Sequence, residues 1–317
     1  MFRAEPVRGE LANLADPGHM RPGWTAVIRA PAPSHTVLAF AVKEPMCGGL
    51  CQRTYARGVQ VETLQSGIWQ TNSTIVSQRG VCLVIDPAYF PRELDAIAAR
   101  VRELGRAAAV IFTHGHWDHV MGHAALPDAP VYVSADLAGA VARDDPRAAK
   151  YLEDARAFDS RWYVPRPSGH RWPTALHGLS EADHTELAGL ALRTLHLPGH
   201  SPDGLGLVID DVLLVGDYLS PCEIPFIEDA RAYRATLARL VDLVPGVREV
   251  IPGHGPRLTA REAAAIARAD LDYLDRLLAA RDLTTALGIP LPRAGDVAGM
   301  ADHHRDNCTA AAVHWDR

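Results

Sequence analysis

The sequence predicts an α/β protein whose helices pack outside a sheet, and three observations lead there. Apolar strands end repeatedly on a His or an Asp in a turn, amphipathic helices with defined ends alternate with those strands, and no internal repeat breaks the order. A strand–helix–strand rhythm buries one face of each helix against a sheet.

Taken in order, residues 1–56 are rich in Pro, Gly and Arg, and only Thr36 to Val42 reads as a strand. From Val59 the pattern becomes strands and turns: Val59 to Leu64, Thr74 to Ser77 and Val81 to Asp86. Pro91 opens a helix with an apolar stripe of Leu94, Ile97, Ala98, Val101 and Leu104, closed by Gly105. The apolar run Ala107 to Phe112 reads as a buried strand, and Val131 to Val133 follows as another. Between residues 143 and 180 the rhythm is interrupted. Arginines (Arg143, Arg147, Arg156, Arg161, Arg166, Arg171) there interleave with aromatic side chains; a helix is expected from Pro146 to about Asp159, then a Pro-rich loop. Leu190 to Leu197 alternates as a strand, and Ala230 to Val244 carries Tyr233, Leu237, Leu240, Val241 and Val244 on one helical face. Thr259 and Glu262 form a capping box that starts a helix running to about Asp282. The tail from Thr284 holds turn residues and then His303 and His304, a candidate metal pair whose role is expected to be structural or at the surface.

The stretch Thr113-His114-Gly115-His116-Trp117-Asp118-His119 packs four metal-capable side chains into six positions. In an extended segment alternate residues point the same way, so His114, His116 and Asp118 converge while His119 is free to serve an adjacent point. Imidazole with carboxylate suits zinc, manganese or iron better than calcium or magnesium. Downstream, three more strand ends deliver candidate ligands: His200 in Leu197-Pro198-Gly199-His200, Asp217 in Val215-Gly216-Asp217, and His254 in Pro252-Gly253-His254. A loop at a strand end is where a rigid scaffold presents function. Tyr218, directly after Asp217, is a candidate to reach a substrate oxyanion, and Cys222 is a candidate pocket residue.

This ordered set resembles the metallo-β-lactamase superfamily, in particular its glyoxalase II-like hydrolases with the Thr-His-x-His-x-Asp-His form, over about residues 60–283. The resemblance implies an αββα four-layer sandwich with an N-terminal extension (1–56), a core domain (57–283) with an insertion at 143–180, and a C-terminal helical tail (284–317). It implies that one metal takes His114, His116 and His200 and the second takes Asp118, His119 and His254, with Asp217 bridging. Asp118 and Asp217 are then the carboxylates engaged in catalysis. Two Zn²⁺ per chain are expected, and iron or manganese also suits these ligands. The implied reaction is hydrolysis of a thioester, ester or lactone by a metal-bridging hydroxide. Persulfide dioxygenases share the His-x-His-x-Asp-His block but bind one iron, and β-lactam hydrolysis belongs to the same superfamily, so both stay open. A non-catalytic binding protein is the remaining reading, and the intact ligand set speaks against it.

Composition narrows the partners. At 317 residues with 48% hydrophobic and 22% charged side chains, the chain suits a globular protein with a substantial core. A net charge of -6 gives no pull towards nucleic acid. No apolar run approaches membrane-spanning length and the start lacks a signal-peptide pattern, so a cytoplasmic location without membrane partners is expected. Five cysteines at irregular spacing do not read as a disulfide framework; Cys47 and Cys51 form a Cys-x3-Cys pair read as reduced structural thiols. There is no Gly-x-Ser-x-Gly elbow and no Gly-x4-Gly-Lys loop. The 143–180 insertion is expected to select a small-molecule or acyl-carrier substrate through Arg161, Arg166 and Arg171, or to form a homodimer surface. Glyoxalase II enzymes hold glutathione with basic and aromatic residues of a C-terminal helical domain, to which Tyr273 and Arg276 offer a partial match.

Overall fold

Period-2 burial along the strands places two sheets face to face, as a computed structural model describing residues 52–56, 58–295, 297 and 299–315 shows. The first sheet has seven strands in chain order: β1 (Gln52–Ala56), β2 (Val59–Gln65), β3 (Asn72–Gln78), β4 (Val81–Ile85), β5 (Arg106–Ile111), β6 (Val131–Ser134) and β7 (Leu176–Leu179). It is antiparallel from β1 to β4 and parallel from β4 to β7. The second sheet runs β13-β12-β11-β10-β9-β8, built from β8 (Ala182–Leu187), β9 (Leu190–His196), β10 (Leu205–Ile209), β11 (Val212–Leu214), β12 (Glu249–Ile251) and β13 (Leu258–Thr259).

Alternation explains the layering. Val76, Leu83, Ile85 and Ile111 of the first sheet meet Leu192, Leu207, Leu214 and Ile251 of the second in a shared core. Their neighbours Ile75, Val84 and Val110 point the other way, against Ile97 and Val101 of α1 (Pro91–Leu104), Leu137 of α3 (Ala135–Ala142), and Tyr151 and Ala155 of α4 (Pro146–Trp162). On the far side, Leu195, Leu213 and Val250 pack on α5 (Ala230–Leu243) and α6 (Ala260–Ala279), and the same cluster takes in Cys308 and Ala311 of α8 (Met300–Ala312). The result is the four-layer αββα sandwich. Two short helices complete the set: α2 (Trp117–Val120) within the His-rich motif and α7 (Leu283–Leu287).

The helix ends follow their caps. Thr259 accepts from Glu262 N, and Glu262 reaches back to Thr259 N at 2.9 Å. Asp229 and Asp145 cap α5 and α4 through Ala232 N and Arg147 N. Gly105 ends α1 at φ 146°, where an added Cβ would collide with Gly80. The 143–180 segment is more regular than a helix and a Pro-rich loop. Its last residues form β7, because the backbone of Leu176–Leu179 pairs in parallel with β6. The strand expected at Thr36 to Val42 and the Cys47/Cys51 pair lie outside the described residues; Cys82, Cys222 and Cys308 are free thiols. Among the described residues no helix is long and apolar enough to cross a membrane.

Candidate metal centre

The candidate ligands emerge where strands stop. β5 runs out at Ile111, and the chain bends through His114 before His116 resumes extended backbone; α2 then begins at Trp117 and turns Asp118 and His119 back toward the same point. The loop after β9 supplies His200, the turn after β11 supplies Asp217, and the turn after β12 supplies His254. β11 and β12 are parallel neighbours, so their exits place Asp217 beside His254. That close approach requires Gly253, where a Cβ would collide with Asp217 Oδ1.

Two groups form. Donor atoms of His114, His116, His200 and Asp217 lie within 4.8 Å of one another, and so do those of Asp118, His119 and His254. Asp217 faces both groups. Its Oδ2 is 3.2 Å from His200 Nε2 and 3.1 Å from His254 Nε2, while its Oδ1 is 3.2 Å from His119 Nε2. All seven sequence-predicted residues are therefore brought together, and most are buried.

Each imidazole is anchored from behind. His119 Nδ1 lies 3.0 Å from Asp86 Oδ2, and His200 Nδ1 lies 3.0 Å from the Phe226 carbonyl. His254 Nδ1 lies 3.2 Å from the Trp69 carbonyl. Thr113 Oγ1 donates to Asp86 Oδ2 at 2.6 Å, which leaves it to accept from His114 Nδ1 at 3.1 Å. His116 is turned the other way, with Nε2 3.5 Å from Glu228 Oε1. An acceptor behind one ring nitrogen puts the proton there and leaves a lone pair on the other.

Those lone pairs face one another. His119 Nε2 and His254 Nε2 are 3.4 Å apart, His114 Nε2 and His200 Nε2 are 3.3 Å apart, and His116 Nδ1 is 2.9 Å from His200 Nε2. Buried Asp217 Oδ1 has no hydrogen-bond partner. Converging bare nitrogens around an unsatisfied carboxylate repel unless a cation lies between them, so these residues fit a divalent metal ion. The titration directions agree. Burial disfavours the charged form of His119 and His254, yet Asp217 and the other carboxylates outweigh it, holding His119 well above the usual histidine range and raising His254 to about 10. Asp217 is held well below the usual carboxylate range, because His254, His119, His114 and His200 outweigh its burial. His114 runs the other way, driven well below the histidine range by burial and by His119, so the pull on positive charge is felt at His119 and His254.

Residues outside the motifs do much of this holding. Asp86 directly follows β4, next to the strand bearing the motif, where it accepts from Thr113 N at 2.8 Å and orients His119. A carboxylate at a strand end is the signal that picks out Asp217, and it applies equally here. Trp69, Gln70 and Asp86 have left-handed backbone (φ 44, 59 and 47°) beside the site, where local strain is repaid by placement. Glu223 adds a half-buried carboxyl near the cluster; burial raises its pKa, and Asp217 and Asp118 act in the same sense against His254 and His200. Asp203 is fully buried behind Gly115, and burial raises its pKa against the pull of Ser201, His116 and Arg147. Trp69, 38% exposed, packs edge-on against Trp117 at 5.2 Å and forms an aromatic wall next to the ligands.

The expected substrate residues are placed differently. The buried Tyr218 hydroxyl donates to the Pro198 carbonyl at 2.7 Å and accepts from His200 N at 3.1 Å, so it braces the His200 loop. Arg166 is paired with Asp159 and stacked 4.3 Å over Tyr89, and neither partner is one of the seven convergent residues. Arg161 is exposed and lies 5.4 Å over Trp162. Arg171 lines a groove of about 830 Å³ with His123, Trp172 and His177, and none of the seven convergent residues borders that groove. Cys222 lies against Gly255 beside the His254 turn. Tyr273 is buried in hydrogen bonds with His304 and Asn307, so it is not available to a thiol cofactor.

Comparison with known proteins fits this geometry. The family model of the metallo-beta-lactamase superfamily matches residues 66–280. The chain is similar to a hydroxyacylglutathione hydrolase of Aeromonas salmonicida, 27% identical over 146 residues, which are 46% of this chain and 45% of that protein. It is also similar to an atrochrysone carboxyl ACP thioesterase of Paecilomyces divaricatus, 27% identical over 175 residues, 54% of this chain and 46% of that protein. The chain thus spans just under half the length of these relatives. Among solved structures it is similar to a metallo-beta-lactamase family protein from Thermus thermophilus (TM-score 0.54, 21% identity, 78% of this chain and 92% of that one). A B3 metallo-beta-lactamase is similar at TM-score 0.50 and 22% identity, covering 64% of this chain and 95% of that one. At these identities the structural likeness is one of fold.

Proposed function

Because this chain belongs to the metallo-β-lactamase superfamily, we propose that it is a dinuclear metal-dependent hydrolase that cleaves a thioester, ester or lactone. One observation carries the reading: a single largely buried carboxylate, Asp217, faces two groups of inward-turned imidazoles at 3.1–3.2 Å. His114, His116 and His200 would hold one ion, Asp118, His119 and His254 the other, and Asp217 would bridge. When bound, such ions supply a water of lowered pKa as nucleophile and polarise the carbonyl under attack.

The chain's own residues do the rest. Asp86 fixes the tautomer of His119 and, through Thr113, that of His114, so both present Nε2 without rearrangement. Thr71 Oγ1 sits 3.3 Å from both Asp118 Oδ2 and His254 Nδ1 and ties the two together. Trp69 and Trp117 offer an apolar wall for the acyl part of a substrate. Among the three carbonyl classes the thioester is favoured, since one similar protein is by name a thioesterase and another hydrolyses hydroxyacylglutathione.

A hydrolysis screen of the zinc-loaded protein over acyl thioesters, lactones, β-lactams and phosphodiesters is expected to give the highest kcat/KM with a thioester. Turnover confined to phosphodiesters, or oxygen consumption with a persulfide and no hydrolysis, would replace this reading.

A further inference from the structure

Helix α8 contributes no residue to the two ligand groups, yet it grips the segment that orients one of them. His200 turns Nε2 inward because its Nδ1 faces the Phe226 carbonyl at 3.0 Å. Both sides of Phe226 are held by one side chain. Asn307 Nδ2 donates to the Pro225 carbonyl at 2.6 Å, and Asn307 Oδ1 accepts from Ile227 N at 3.1 Å. Accepting from one residue and donating to the residue two before it is what a neighbouring strand does, so the amide fixes the peptide planes flanking Phe226. One helical turn earlier, the His303 ring packs on the Phe226 ring with centroids 3.9 Å apart.

Asn307 is itself fixed. It is 1% exposed, and its Nδ2 also donates to Tyr273 Oη at 3.2 Å. The Tyr273 hydroxyl then donates to His304 Nδ1 at 2.7 Å. Flipping the amide would set a donor against Ile227 N–H and an acceptor against the Pro225 carbonyl, so only one orientation satisfies the site. The far end of the same segment is tied separately, where Glu228 N and Asp229 N donate to the Gly199 carbonyl at 2.9 and 3.0 Å. Loss of Asn307 therefore releases the Phe226 carbonyl without releasing the whole loop.

We propose that Asn307, supported by His303, is a positioning residue of the metal centre, acting on His200 through the Phe226 carbonyl. The inference rests on His200 being a metal ligand, as the proposed function has it. It gives the Asp302–Asn307 stretch a role that needs no third metal site.

The test is zinc competition against a chromophoric chelator on the full chain, comparing the unchanged protein with Asn307→Ala, His303→Ala and, on the exposed side of α8, Arg305→Ala. Thermal midpoints and the His200 Nδ1–H signal in long-range ¹H–¹⁵N spectra are read alongside. The unchanged protein and Arg305→Ala should each bind two ions. Asn307→Ala should weaken one of them by about 10–100-fold, the effect typical of an outer partner, leave the other near its parental affinity, and lose the protected His200 signal. His303→Ala, which removes ring packing but keeps the amide, should do the same to a smaller degree and covers the case in which Asn307→Ala does not fold. Two parental affinities in both variants, or a uniform fall of both that follows the thermal midpoint, would overturn the positioning role. If the unchanged protein takes up no metal, the proposed function fails and this inference with it.

Discussion

Asp217→Asn should leave the protein with one tightly held metal ion where the unchanged chain is expected to hold two, and turnover should fall by well over 100-fold. Removing a partner that merely orients a ligand costs about 10–100-fold, and Asp217 itself faces both ligand groups. The amide keeps the shape of the carboxylate but loses its charge, and one of its two atoms becomes a donor aimed at an imidazole lone pair. The carboxylate faces His114, His119, His200 and His254 together, so its charge is shared by both groups. Elemental analysis and initial rates on the same preparation check this. Full metal content with full activity would remove Asp217 from the bridging role.

Asp86→Ala should damage the fold and the site together. Three buried donors, Thr113 N, Thr113 Oγ1 and His119 Nδ1, lose their acceptor in this one substitution. Each unsatisfied buried donor costs about 1–3 kcal/mol, and water entering the space left by the side chain recovers part of it. A loss of about 3 kcal/mol or more is expected, a large fraction of the roughly 5–15 kcal/mol that holds a domain together. The midpoint of denaturant unfolding of the metal-free protein measures it. His119 would also be free to adopt the other tautomer, so metal affinity should fall by about 10–100-fold. A variant with parental stability and affinity would make Asp86 a bystander.

Much of this is legible in the residues. The motif strand, the helix from Pro91 to Gly105, the Thr259–Glu262 cap and the three strand ends carrying His200, Asp217 and His254 all announce themselves through periodicity or turn chemistry. Strands β7 and β8 do not, because each is a half-exposed strand at the edge of its sheet, with polar residues such as His177, Asp183 and His184 where alternation would mark a core face. Arg166 and Tyr218 are hard to place from sequence for a related reason. An Arg in a loop or a Tyr beside a ligand looks the same in sequence whether it faces substrate or turns inward, and Asp159 and the Pro198 carbonyl decide the matter through tertiary packing. Asp86 and Asn307 act at 33 and 107 residues' remove from the histidines they serve, a separation at which no local pattern reports contact.

That two groups of ligands share Asp217 is the claim on which the rest depends, and metal content tests it most directly. Protein purified without exposure to chelators should contain close to two divalent transition-metal ions per chain by elemental analysis, with zinc the main species. A single iron per chain accompanied by oxygen-dependent turnover, or no bound transition metal at all, would contradict it.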